Sequence, residues 1–130
     1  MIVDASALLA ILKDEPECAE FLETIAAATN PMMSVVNHLE VAIKVDRDPD
    51  PLFARRADEL IKRLRLELQP VTLEQAAAAR AAYRDFGKGS GHPAQLNFGD
   101  CFAYALASEA GEPLLYKGND FVHTDIRPAL

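Results

Sequence analysis

The strongest constraint on the fold is an alternation of short apolar runs with helical segments. "MIV" precedes "ASALLAILK", "PMMS" precedes "VVNHLEVAIKV", and "LELQPV" precedes "TLEQAAAARAAYRDF". "LNFGDCFAYALA" then leads to "EPLLY" as a last strand, with "KGND" as a turn. Strands alternating with helices predict an α/β chain whose mostly parallel sheet is flanked by helices on both faces. Two further helices are expected. One is "PECAEFLETIAAA", with Pro16 in the first turn, and the other is "LFARRADELIKRLRL", after the break at "DRDPDP". Thr72 is placed to cap the helix that follows it. "GKGSGHPAQ" reads as a flexible loop; its glycines do not form a phosphate-binding loop, because no GK[ST] occurs.

With 130 residues, half of them hydrophobic, the chain suits one domain, residues 1–130, with a real core. Cys18 and Cys101 form neither a CxxC motif nor a Cys/His cluster, so a structural zinc site and a disulfide framework are both disfavoured. The N-terminal segment has no basic leader, and Asp4 interrupts its apolar run. The expectation is a cytoplasmic protein with neither signal peptide nor membrane span. The net charge of −7 is unusual for a chain that binds nucleic acid. Either nucleic acid is not the partner, or a divalent cation reverses the sign at an acidic site.

The acids are placed to favour the second choice. In open α/β sheets ligands bind beyond the C-terminal ends of the strands. Asp4 ends the first strand and Asp120 follows the last. Glu40 shares a helix face with Val36 and Ile43, where a carboxylate is costly unless paired, protonated or metal-bound. An edge position reaching water is the plain alternative. Asp100 lies in the first turn of an apolar helix. Asn97 with Asp100 makes a capping-box pattern that accounts for the acid by itself. The same face continues through Ala103 and Ala107, small enough to bring that helix close to the sheet and Asp100 towards Asp4. Four gathered carboxylates would repel by roughly 3 kcal/mol per pair at ~5 Å and an effective dielectric near 20. A cation offsets that, and all-oxygen donors select Mg²⁺ or Mn²⁺ over zinc.

"MIVDASALLAIL", "NHLEVA", "LNFGDCFAYALA" and "KGNDFVHTDI" resemble, in order and spacing, the four signature blocks of PIN-domain ribonucleases. The VapC toxins of bacterial type II toxin–antitoxin systems match best, over essentially the full length. The resemblance implies a PIN-like three-layer sandwich. It also implies a Mg²⁺-dependent endoribonuclease (Mn²⁺ possible) that hydrolyses RNA phosphodiester bonds. Asp4 and Asp100 would be metal ligands, with Glu40 and Asp120 completing the catalytic acids. Ser6, Asn97 and Asn119 would support them, and Asp125 is a fifth acid ranked below Asp120. Arg55, Arg56, Lys62 and Arg63 share a helix face with Glu59. They fit either an ordinary solvated surface with a Glu59–Arg63 pair or an RNA-backbone contact. The implied partners are RNA and a VapB-type antitoxin, in a homodimer or a toxin–antitoxin hetero-oligomer. His38, His92 and His123 form no catalytic pattern. Three other functions compete. A haloacid-dehalogenase-type phosphatase needs a second Asp at position 6, where Ser stands. A non-catalytic PIN-like binding module is disfavoured by the presence of all four acids. A DNA nuclease could use the same acids, since no residue here reads a 2′-hydroxyl.

Overall fold

A computed structural model describes residues 1–130, the whole chain. Its elements are β1 (Ile2–Val3), α1 (Ala5–Leu12), α2 (Cys18–Ala27), β2 (Met32–Ser34), α3 (Val35–Asp46) and α4 (Pro51–Arg63). They continue as β3 (Glu67–Gln69), α5 (Leu73–Phe86), α6 (Phe98–Ala110) and β4 (Leu114–Leu115). The four strands form one parallel sheet in the order β3-β2-β1-β4, with Ile2 in register with both Met32 and Leu114.

Alternation along the strands divides the core in two. Val3, Met33 and Leu115 face the layer of α1 to α4, where Leu8, Phe21, Ile25, Val41 and Val45 pack. Ile2, Leu114 and Met32 face Leu96, Leu106 and the alanines of α5 and α6. Burying a side chain of this size contributes roughly 1.5–3 kcal/mol, so a one-residue slip in any strand would exchange the two layers' partners. The sandwich of three layers follows from that pattern.

The expected caps form. Thr72 accepts from the Gln75 amide and Asp50 from the Leu52 amide, which starts α4 with Pro51 in its first turn. In two places the structure differs from the sequence reading. Helix α2 begins at Cys18, so Pro16 lies in the turn before it. The buried face of α3 is Asn37, Val41 and Val45, whereas Ile43 is 43% exposed. The loop after α5 is closed by its own hydrogen bonds: the Lys88 amide donates to Leu96 O, and the Ser90 hydroxyl to Gly87 O. The chain's end adds a pairing that no periodicity announced, an isolated parallel bridge between Pro128 and Leu114.

Two strands run into helices without a loop. Asp4 caps α1 straight after β1, and Ser34 caps α3 as the last residue of β2. The C-terminal edge of the central strands therefore carries the N-termini of α1 and α3. Helix α6 leads back to the start of β4, so its own N-terminus reaches the same edge. No helix is long and apolar enough to cross a membrane.

Candidate active site

Asp4 is 3% exposed, and its Oδ2 accepts from the Ser6 amide at 3.0 Å and the Ser6 hydroxyl at 2.6 Å. The Ser6 oxygen in turn accepts from the Lys117 amide just beyond β4, at 2.9 Å. The carboxylate at the end of β1 is thereby tied to the neighbouring strand. Asp100 is 8% exposed and closes a capping box at the head of α6. Its amide donates to Asn97 Oδ1, and its Oδ2 accepts from the Asn97 amide, both at 2.9 Å. Glu40 is half-buried on α3, and its Oε2 accepts from Asn37 Nδ2 at 2.8 Å. Asp120 lies exposed in the turn after β4.

These acids sense one another. Burial pushes the Asp4 carboxyl above its ordinary value, against the Ser6 hydrogen bonds and the Ala5 amide, and the Asp120 charge adds to the rise. Burial raises Asp100 to about 7, opposed by the Asn97 amide and reinforced by Asp4, Asp120 and Glu40. Glu40 is raised by burial and by Asp4, with Asn37 and Lys44 acting the other way. Asp100 thus lies within the electrostatic reach of all three other acids.

A family model for the PIN domain matches residues 1–127. Ribonuclease VapC28 of Mycobacterium tuberculosis is 52% identical over 130 residues, which is 100% of this chain and 98% of that protein. This chain belongs to the PIN-domain family. Ribonuclease VapC42 of the same species is 45% identical over 129 residues, covering 99% of this chain and 98% of its own. VapBC2 from Rickettsia felis, solved bound to a DNA fragment from its promoter, superposes with a TM-score of 0.76 at 14% identity, over 98% of this chain and 94% of that one. Mycobacterium tuberculosis VapC20, described as a sarcin-ricin loop cleaving toxin, gives 0.69 at 17% identity over 98% of both chains. At those identities the structural likeness speaks for the fold.

The acids of this PIN domain suit a hard cation. Their donors are all oxygen, the Asp4, Glu40 and Asp100 carboxyls are raised, and Asp100 Oδ1 accepts no hydrogen bond. No group of three or more His, Cys, Asp or Glu side chains is drawn together tightly enough to make a metal cage by itself. Magnesium does not require one, since it keeps several waters and binds one or two carboxylates directly. Asp4 and Asp100, the most buried pair, could provide those.

The other sequence candidates divide. Ser6 and Asn97 hydrogen-bond to Asp4 and Asp100. Asn119 is exposed, and its side chain bonds to neither acid. Asp125 accepts from the Tyr104 hydroxyl at 2.7 Å. Arg55, Arg56, Lys62 and Arg63 are all exposed on α4. The expected Glu59–Arg63 ion pair is not formed; Arg56 instead lies over the Phe53 ring at 5.8 Å. Arg56 and Arg63 flank a cleft of about 440 Å³ with Ile11, Leu12, Leu22 and Leu60. That cleft opens at the far end of α1, about 10 Å from Asp4 at 1.5 Å per residue. His92 is structural, its Nδ1 accepting from the Ala94 amide. Sequence reading missed Asn37, Gly99 and the Lys117 amide. For Asn37 a signal existed: it is the one polar residue in the stripe 37, 41, 45.

Proposed function

We propose that this PIN domain, acting as a single unit over residues 1–130, is a Mg²⁺-dependent endoribonuclease and the toxin of a toxin–antitoxin pair. The observation that carries the reading is a buried Asp100 within electrostatic reach of Asp4, Glu40 and Asp120 at the C-terminal edge of a parallel sheet, in a chain 52% identical to a VapC ribonuclease. Asp4 and Asp100 would hold the cation, with Glu40 and Asp120 holding water or a second ion beside them. A bound divalent cation would supply charge neutralisation at the scissile phosphate and would lower the pKa of water enough to make hydroxide available as the nucleophile. The chain's own contribution is position. Ser6 locks the Asp4 carboxylate through two hydrogen bonds, and Asn97 locks Asp100. Burial keeps competing water from the inner pair and strengthens each charge interaction there. The cations of α4, Arg55, Arg56, Lys62 and Arg63, are the candidate contacts for the RNA backbone, offsetting the chain's net charge of −7.

The partner that would silence such a site is a VapB-type antitoxin. A basic side chain placed near Asp4 and Asp100 would neutralise the acids, while apolar residues of the same peptide fill the cleft beside Leu12, Leu22 and Leu60.

Purified chain incubated with single-stranded RNA and Mg²⁺ should cleave it, stop in EDTA and lose cleavage in Asp4→Asn, while His38→Ala retains it. Cleavage that survives EDTA in full, or equal cleavage by Asp4→Asn, overturns the mechanism. Preference for DNA of the same sequence overturns the substrate. Expression should arrest growth alone and not with the antitoxin, and toxicity of Asp4→Asn equal to wild type would refute the toxin reading.

A further inference from the structure

Asn37, the polar partner of Glu40, is fully buried at 0% exposure on the inward face of α3. Its Nδ2 donates twice, to Glu40 Oε2 at 2.8 Å and across to Gly99 O on α6 at 3.0 Å. Both partners are acceptors, so the amide orientation is forced by chemistry. Its Oδ1 is buried without a donor. An unsatisfied buried acceptor is costly, so the amide is kept in the core by what its Nδ2 holds, Glu40 and the Gly99 carbonyl. Gly99 completes the arrangement. A Cβ there would sit 1.9 Å from Glu40 Oε1 and 2.3 Å from Glu40 Cδ, so the carboxylate occupies the space a side chain would fill.

We propose that Asn37 is a positioning residue of the acidic site, clamping Glu40 against Gly99 so that Glu40 is set relative to Asp100, the next residue along α6. Asn37 acts through Glu40 and touches no substrate. Its effect on cleavage rests on the nuclease reading, whereas the clamp itself does not.

The experiment has two arms. In metal-free ¹⁵N-labelled protein, the Asn37 side-chain NH₂ pair should be protected from exchange, and Glu40→Ala should shift it. An unprotected pair that Glu40→Ala leaves in place overturns the clamp, whether or not the protein cleaves RNA. The second arm compares wild type, Asn37→Ala and Gly99→Ala for magnesium affinity, read from the magnesium-dependent rise in melting temperature, and for cleavage. Gly99→Ala keeps Asn37 and pushes only the flexible end of Glu40 aside, so it should fold even if Asn37→Ala does not. Displacing Glu40 should weaken magnesium binding and slow cleavage by about 10–100-fold, as removal of outer-shell partners does. A fold defect alone would leave the magnesium requirement of the folded fraction unchanged. Wild-type magnesium affinity in Gly99→Ala overturns the proposal. Magnesium binding without RNA cleavage by wild type would count against the nuclease reading alone.

Discussion

Replacing Asp100 by Asn tests whether the crowding of acids, and not helix capping, governs this site. The substitution keeps an oxygen able to accept from the Asn97 amide, now at 2.9 Å from Oδ2, but removes the charge. Burial and the neighbouring acids hold the wild-type carboxyl at about 7 instead of 3.8. At 1.36 kcal/mol per tenfold change in proton affinity, ionising it costs the folded state up to about 4 kcal/mol, and about 1–3 kcal/mol once water and side chains relax. The sign follows from a carboxyl whose folded pKa is raised. Its favourable contribution is complete below pH 3.8 and is lost as pH rises through about 7. Against this, the variant forfeits roughly 0.3–1 kcal/mol of charge–dipole attraction at the head of α6. In EDTA at pH 8.5 Asp100→Asn should therefore melt several degrees above wild type, at about 3–5 °C per kcal/mol for a chain of this size. At pH 5 most of the advantage should vanish. Magnesium should raise the wild-type melting temperature by binding only the folded state, and should raise that of the variant much less. An Asp100→Asn protein less stable than wild type at pH 8.5 in EDTA, with an undiminished magnesium response, would show that Asp100 is a cap and nothing more.

Ser6→Ala removes the 2.6 Å bond to Asp4 and leaves the Lys117 amide without its acceptor. Thermal melting should show a loss of about 1–2 kcal/mol, and RNA cleavage should fall about 10–100-fold; unchanged cleavage would separate Ser6 from the site. Gly111 ends α6 in the left-handed region at φ 66°, where a Cβ is strained although the space around it is open. Gly111→Ala should cost about 1 kcal/mol by melting and leave cleavage untouched.

Local chemistry was legible in the sequence wherever a feature depends on residues three or four apart. The caps at Thr72 and Asn97 formed as read, because an N-cap needs only its own side chain and the next turn's amides. Strand–helix alternation determined the parallel sheet, and the placing of Asp4 and Asp120 at strand ends followed from it. The face of α3 was not legible. Val35, Val36, Leu39, Val41, Ile43 and Val45 surround that helix with apolar residues, so periodicity could not choose between Val36–Ile43 and Asn37–Val41–Val45. Packing against α1 and the sheet chose. Contacts between distant segments were likewise decided only by the tertiary structure. Ser6 meets the Lys117 amide across 111 residues, Asn37 meets Gly99 O across 62, and Asp125 meets Tyr104 across 21. The physical reason is common to all three: a hydrogen bond of 2.7–3.0 Å is set by where two elements come to rest, and that depends on the volume of every side chain packed between them.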